Sequence, residues 1–128
     1  YHGHSYTANP LACAAALANL ELLDKKETTK NITRICKRNI EFVLKIAGMK
    51  QISHARCFGT IMAIEIKTRE KPTYTSSIRD KAYTYFIHRG ILIRPLGNVI
   101  YIMPPYCITD ADLNFIYKTI VAFLKTLK

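Results

Sequence analysis

Apolar residues are spaced in two ways along this chain, and the two spacings predict helices and strands in alternation. Apolar side chains recur every three or four positions in four segments, which predicts four helices: 10–23, about 28–47, 77–89 and about 109–127. Alternating or short apolar runs predict four strands: 52–57, 60–68, 91–94 and 99–103. The order α-α-β-β-α-β-β-α predicts an α+β fold, with helices packed on one face of a small, mainly antiparallel sheet.

The first predicted helix is apolar on nearly every side. Asn9 is a suitable N-cap, and Pro10 suits the first helical position because its missing N–H would have no partner there. Alanines keep the helix slim, and leucines surround it. Such a helix is normally buried, so we expect the loop before it to be held against a rigid element.

Glycine, proline and short polar residues predict where the other elements begin, bend and end. These signals are Gly48 ending the second helix, Gly59 as a bend or bulge, Ser77 with Asp80 starting the third helix, Gly90 stopping it, a hairpin turn at 95–98, and Thr109 with Asp112 capping the last helix.

Length and composition limit the class of protein. The chain has 128 residues, of which 49% are hydrophobic, so it is large enough for one core and is not a disordered tail. It has no apolar run near the roughly 18 residues that a membrane span needs, and no signal peptide opens it. It does not begin with Met, and we expect it to be a piece of a longer protein.

The cysteines and the charge each bear on compartment and partners. Four widely spaced cysteines without a C-x-x-C pair predict buried free thiols, as for Cys13 and Cys36, and hence a reducing, cytoplasmic setting. The net charge of +10 raises nucleic-acid binding as an alternative. The basic residues are dispersed, however, and the densest patch, 25–38, fits a solvated helix face, so we expect no nucleic-acid partner and no membrane partner.

The opening loop is the first candidate site. Gly3 permits close backbone approach, Ser5 offers a hydroxyl, and the N–H groups after Asn9 begin a helix, which together suit an anion such as phosphate. Plain helix capping explains the same residues. His2 and His4 could instead bind a metal, but no third ligand lies at matching spacing, and we expect no metal site.

Arg94 is the second candidate. It follows the apolar run 91–93 and precedes Pro95, so its guanidinium would be fixed at a sheet edge, where its planar fork suits a carboxylate. A solvent-facing arginine at a strand end is the alternative. Tyr101, seven residues on, could lie near Arg94 across the predicted hairpin or could simply pack.

The chain carries no apparent catalytic machinery of its own. None of its lysines lies in an apolar context that would lower its pKa for Schiff-base chemistry, and there is no nucleophile elbow or glycine-rich phosphate loop. Alone, it is predicted to be inactive.

Two segments resemble a known family. His-Gly-His-Ser-Tyr-Thr-Ala-Asn-Pro-Leu-Ala-Cys-Ala-Ala-Ala at 2–16 resembles the segment that opens the C-terminal part of class III pyridoxal-phosphate aminotransferases. Gly-Ile-Leu-Ile-Arg-Pro-Leu-Gly-Asn-Val-Ile-Tyr-Ile-Met-Pro-Pro-Tyr at 90–106 narrows the resemblance to one member, and Phe-Gly-Thr-Ile at 58–61 matches between them. The resemblance implies the small C-terminal domain of a fold-type I enzyme that uses pyridoxal 5′-phosphate, acts on small-molecule substrates and forms a homodimer.

The resemblance also implies roles for four residues. Ser5 would bind the cofactor phosphate of the neighbouring subunit, and Gly3 would line the substrate pocket. Arg94 would bind the carboxylate of the keto substrate, with Tyr101 near the same site. The Schiff-base lysine of the family belongs to its large domain and has no counterpart here.

The resemblance further implies a division at about residue 24. Residues 1–24 would be a connecting loop and a long apolar helix, and residues 25–128 would be the small α+β domain. The main alternative from another class is a free-standing, non-catalytic ligand-binding or regulatory module, whose opening loop would pack on its own body.

Overall fold

The computed structural model describes residues 3–68 and 76–127, which contain four helices and a small sheet. In chain order the elements are α1 (Pro10–Leu23), α2 (Lys26–Ile46), β1 (Ile52–Phe58), β2 (Ile61–Ile66), α3 (Ser77–Ile87), β3 (Val99–Ile102) and α4 (Asp110–Thr126). The strands form one antiparallel sheet in the order β1-β2-β3. The predicted α+β fold is confirmed, with three strands in place of four.

The cap of α1 is as predicted, but its burial is not. The Asn9 side chain accepts hydrogen bonds from the N–H groups of Leu11 and Ala12, at 3.0 and 3.2 Å. No residue of α1 is buried, and Leu11 is 82% exposed. A helix that is apolar all round needs neighbours on every side. Among the described helices and strands, α1 packs mainly against α2, so most of the surface of α1 is left open.

The first hairpin is sharper than the sequence suggested. Gly59 has a φ of +56°, a left-handed conformation that glycine adopts at no steric cost, and it turns β1 directly back into β2. The pairing of Phe58 with Ile61 next to the turn continues in register as far as His54 with Glu65, before a register shift between His54 and Ile52. Gly59 is therefore a hairpin turn and not a bulge within a strand.

The second predicted hairpin is wrong in its first strand. Residues 91–95 form no strand, and a single bridge, Leu96 to Val99, is all that remains of the expected pairing. Instead β3 pairs with β2, and the buried Asn98 side chain donates to the Ile66 carbonyl at 2.8 Å. Beyond that bridge the two arms of the expected hairpin, residues 91–95 and β3, make no further pairing and separate.

Helix boundaries other than that of α1 agree in part. Thr109 caps α4 as predicted, accepting from the Asp112 N–H at 3.1 Å. The cap of α3 is Ser76 rather than Ser77, so Asp80 falls one position too late for a capping box. The cap residues that end α2 and α3 are Ala47 and His88. Gly48 does not have a positive φ, and Gly90, with a φ of +73°, follows the His88 cap by two residues, so α3 ends slightly before the predicted stop.

Side chains join α2 and α4 as parallel neighbours. Arg34 on α2 pairs with Asp110 at the start of α4 at 2.6 Å. Arg38, one turn further along α2, donates to Asn114, one turn further along α4. The second contact lies one turn closer to the C-terminus than the first in both helices, so the two helices run parallel.

A buried polar network fixes these helices on the sheet. The Asn39 amide is fully buried, and its Nδ2 donates to the Thr60 carbonyl at 2.9 Å. Its Oδ1 accepts from the Tyr117 hydroxyl at 2.7 Å, and the Tyr117 ring stacks on Phe42 with centroids 4.2 Å apart. One amide therefore links α2, α4 and the β1–β2 turn, with its donor and acceptor both satisfied.

Replacing Tyr117 by Phe is expected to destabilise the protein by about 1–3 kcal/mol, because the buried Oδ1 of Asn39 would lose its donor. Urea denaturation measures the change, with Tyr83→Phe, at an exposed position on α3, as the matched control. A loss no larger than that of the control would show that the network contributes nothing.

Burial of the phenol also predicts a pH dependence. Desolvation is the main cause that raises the pKa of Tyr117 from 10.0 to about 12, because it disfavours the phenolate. As pH rises, the Tyr117 phenol therefore ionises first in the unfolded chain. The stability that the buried, protonated phenol contributes is complete below pH 10 and is lost between pH 10 and about 12. Absorbance titration should show a late phenolate step that disappears in Tyr117→Phe. A titration curve identical in parent and variant would contradict this.

Candidate functional site

The loop before α1 is held by its own hydrogen bonds. The Thr7 N–H donates to the His4 carbonyl at 3.0 Å, and the His4 N–H donates to the Thr7 Oγ1 at 3.2 Å. Ala8 has a φ of +53°, which turns the chain toward the Asn9 cap. Ser5 sits in this turn, exposed, and its hydroxyl has no hydrogen-bond partner among residues 3–68 and 76–127.

The helix N-terminus beside Ser5 is already occupied. Asn9 takes up the N–H groups of Leu11 and Ala12, so plain capping accounts for that part of the proposed anion site. A phosphate at this loop would therefore contact the Ser5 hydroxyl rather than those two amides.

The alternative of a metal site gains nothing from the geometry. The Nδ1 atom of His4 accepts from the Tyr6 N–H at 3.1 Å, so that lone pair is in use. His2 lies outside the described residues, and in the part that is described no group of three or more His, Cys, Asp or Glu side chains could hold a metal ion.

Arg94 and Tyr101 line the same groove, although the expected strand pairing between them does not form. The groove has a volume of about 560 Å³ and lies where the two arms separate, bordered by the first turns of α4. Arg94 is exposed and Tyr101 is partly buried. Within the described residues the Arg94 guanidinium has no hydrogen bond or ion pair, so it is free to bind an anion.

Both apolar and charged side chains border this arginine: Asp112 of α4 lines the same groove, and Arg79 and Asp80 of α3 lie beside Arg94 in a neighbouring depression. Leu92 and Met103, 79% and 67% exposed, line the groove, and Phe115 of α4 completes its wall. A free guanidinium at the edge of a groove with mainly apolar walls suits a ligand that has a carboxylate at the end of a hydrocarbon chain.

The sheet register adds one functional candidate that the sequence analysis missed. Arg56 on β1 is directly opposite Ala63 on β2, which is directly opposite Tyr101 on β3. Directly opposed residues in an antiparallel sheet point to the same face. Met62 and Ile64 are buried, so this row lies on the open face. In a tight hairpin that turns at Gly59, residues equally far from the turn are paired, and this symmetry was the sequence signal that could have identified Arg56 as the partner of Ala63.

Gly3 and Ser5 do not line the groove of Arg94 and Tyr101. Both are exposed, and a Cβ added at Gly3 would meet nothing within 4 Å. A single copy of this chain thus brings together two of the four residues, and the roles of all four stay predictions.

The described residues could supply some, but not all, of the contacts that the cofactor implied by the resemblance needs. A free, exposed serine hydroxyl on a hydrogen-bonded turn fits a phosphate contact. Every lysine in residues 3–68 and 76–127 is exposed, so none has the desolvated setting of a Schiff-base lysine. The described residues could therefore supply a phosphate ligand and a carboxylate ligand, but not the covalent attachment.

Two expectations about cysteines and membranes can be compared with the structure. All four cysteines are free, but Cys13 and Cys107 are exposed and Cys36 is only partly buried, so their predicted burial is wrong. Cys13 is exposed because α1 is.

No helix in the described part is long and apolar enough to cross a bilayer.

The sequence and the fold place this chain in a family. The family model for class III aminotransferases matches residues 1–124, and the chain belongs to that family. Members of this family use pyridoxal 5′-phosphate as their cofactor, and related solved transaminases carry its amino form, among them one from Vibrio fluvialis whose shared fold gives a TM-score of 0.82 at 24% identity.

Individual relatives confirm the narrower resemblance of residues 90–106, which is to adenosylmethionine-8-amino-7-oxononanoate aminotransferase. The chain is 40% identical to that enzyme of Synechococcus elongatus, over 97% of this chain and 28% of the relative. It is 31% identical to that of Methanocaldococcus jannaschii, over 98% of this chain and 28% of the relative.

The crystal structure of the Methanocaldococcus jannaschii enzyme superposes with a TM-score of 0.85 at 30% identity, over 98% of this chain and 30% of that one. The chain therefore spans less than a third of the length of the relatives that it matches.

Proposed function

We propose that this chain is the C-terminal part of a pyridoxal-phosphate-dependent aminotransferase that transfers an amino group from S-adenosylmethionine to 8-amino-7-oxononanoate. The product would be 7,8-diaminononanoate, a precursor of biotin. The observation that carries the proposal is the unpaired guanidinium of Arg94, which shares an apolar-walled groove with Tyr101. The names of the sequence relatives support it.

The keto substrate matches the chemistry of this groove. It carries a carboxylate at the end of an aliphatic chain, and Arg94 would bind that carboxylate through its two-pronged donor geometry. Leu92 and Met103 would shield the aliphatic chain from water. Tyr101 would add a hydroxyl donor near the same carboxylate, and the ketone carbon would then lie several carbon–carbon bonds away, toward the cofactor.

The cofactor, when bound in the complete enzyme, supplies the electron sink that makes amino-group transfer possible. The contribution of this chain is positional. Ser5 would donate its hydroxyl to the cofactor phosphate, and Gly3 would leave room for substrate beside it. Arg94 would set the orientation of the keto acid.

The exposed surface of α1 supports a homodimer in the proposed enzyme. A helix with several exposed leucines and no buried residue needs a covering layer. If Ser5 contacts the cofactor of the neighbouring subunit, α1 begins five residues after a residue at the subunit interface and would be covered there. The free thiols support a reducing, cytoplasmic location.

The free-standing binding module gains no support from the loop. That alternative expects the opening loop to pack on the body of the domain, whereas residues 3–8 are all exposed.

Replacing Arg94 by Ala in the full-length enzyme should impair use of the keto substrate and leave the half-reaction with S-adenosylmethionine comparatively intact. Loss of one charge-assisted contact corresponds to about 1.5–3 kcal/mol, or at least tenfold in kcat/KM. Single-turnover kinetics of each half-reaction measures the effect. Arg89→Ala is the matched control, because the Arg89 guanidinium lies over the Tyr85 ring and does not line this groove. Equal losses in both half-reactions would refute the assigned role.

Replacing Ser5 by Ala should weaken retention of the cofactor, because one phosphate ligand would be lost. Ser5→Thr keeps the hydroxyl and should retain the cofactor as the parent does. Equilibrium dialysis of the full-length variants, followed by the cofactor's absorbance, distinguishes them. If the Ala variant holds the cofactor as tightly as the Thr variant, the phosphate contact is ruled out.

A further inference from the structure

The register of the sheet creates a polar row on its open face. Arg56, Ala63 and Tyr101 face one another across three adjacent strands. Exposure alternates in the segment that follows Gly90: residues 91, 93 and 95 are buried and residues 92, 94 and 96 are exposed. Arg94, although outside the sheet, is exposed and lines the same groove as Tyr101, at the end of the row away from Arg56.

The spacing in this row allows Arg56 to reach Tyr101. Adjacent strands lie about 4.8 Å apart, so the Cα atoms of Arg56 and Tyr101 are roughly 10 Å apart. The residue between them is Ala63, whose single methyl group leaves the space above β2 open. An arginine and a tyrosine side chain are each long enough to meet over that gap.

The hydrogen-bonding capacities of the three side chains are complementary. A guanidinium can only donate, whereas a phenol oxygen can accept one hydrogen bond while its own proton is donated to another acceptor. Within the described part of the chain, neither Arg56 nor Tyr101 makes a side-chain hydrogen bond or ion pair. Both are therefore available to each other and to a ligand.

We propose that Arg56 is a positioning residue for Tyr101: when the keto acid binds, the Arg56 guanidinium turns to donate to the phenol oxygen over Ala63, a hydrogen bond that the described residues do not make by themselves, and the phenol O–H is thereby directed to the substrate carboxylate bound by Arg94. A phenol that accepts a hydrogen bond from a cation is a stronger donor, so the carboxylate is held by two groups in fixed relative orientation. This inference rests on the proposed function, because it deepens the same carboxylate site.

The test is a double-mutant cycle in the full-length enzyme with Arg56→Ala, Tyr101→Phe and the pair. Arg56→Ala is expected to raise KM for the keto substrate about tenfold, with kcat and the S-adenosylmethionine half-reaction nearly unchanged. In the Tyr101→Phe background the same change should have almost no further effect, because the acceptor for Arg56 is gone. Additive effects would overturn the proposal, since Arg56 would then act without Tyr101.

Two further variants test whether Arg56 acts by positioning Tyr101, and not only by its charge or through a general effect on strand β1. Ala63→Leu keeps Arg56 but fills the space above β2, and it should reproduce the rise in KM. His54→Ala is the matched control, because His54 lies on β1 in the next row of the same face, opposite Glu65. Its KM should equal that of the parent, and a rise as large as that of Arg56→Ala would show a general effect of strand β1 and defeat the proposal.

The outcome for Arg94 keeps the two inferences distinct. If Arg94→Ala affects the keto substrate selectively but the cycle shows no coupling, the proposed function stands and the role of Arg56 is rejected. If Arg94→Ala has no selective effect, the carboxylate site itself is rejected, whatever the coupling between Arg56 and Tyr101.

Discussion

The antiparallel register of the three strands is the constraint on which the rest of the structure depends. Successive residues in a strand point to opposite faces, so a slip of one residue would exchange the core side of the sheet with its open side. Met62 and Ile64 would turn outward, and Arg56 and Tyr101 would turn inward. The left-handed turn at Gly59 sets this register at one edge, and the hydrogen bonds between Asn98 and Ile66 set it at the other.

The separation of residues 91–95 from β3 gives this edge of the sheet a groove and an unpaired arginine. A regular hairpin would have closed the space between residues 91–94 and β3 with backbone hydrogen bonds. Because residues 91–95 do not pair with β3, that space stays open as a groove, with Arg94 unpaired at its edge. The loss of a few ladder hydrogen bonds therefore creates a place where an anionic ligand can bind.

The chain also shows two surfaces that a complete protein would be expected to cover. One is α1, and the other is the apolar rim of the groove with Leu92 and Met103. Large apolar patches of this kind mark interaction sites. The free hydroxyl of Ser5 precedes the first surface, and the guanidinium of Arg94 adjoins the second. In the proposed enzyme both residues would thus stand where this chain meets other protein, which is where a site shared between domains or subunits is built.

Local signals in the sequence were sufficient for much of the secondary structure. The caps at Asn9 and Thr109 were predicted correctly, because each depends on residues within one turn of the chain. The four helices and the α+β class follow from apolar spacing for the same reason. Arg94 and Tyr101 were identified as candidates from the residues themselves and from the family resemblance, not from any contact between distant segments.

What the sequence by itself determined, then, is the helices, most of their ends and the residue types that could bind an anion. Only the tertiary structure decided that residues 91–95 leave the sheet, that α1 is uncovered and that Arg56 shares a face with Tyr101. Each of these depends on partners far away in the chain: the Ile66 carbonyl that takes up Asn98, the neighbours that α1 lacks, and the middle strand that aligns β1 with β3. Apolar spacing reports which face of a segment can be buried, but not what is present to bury it.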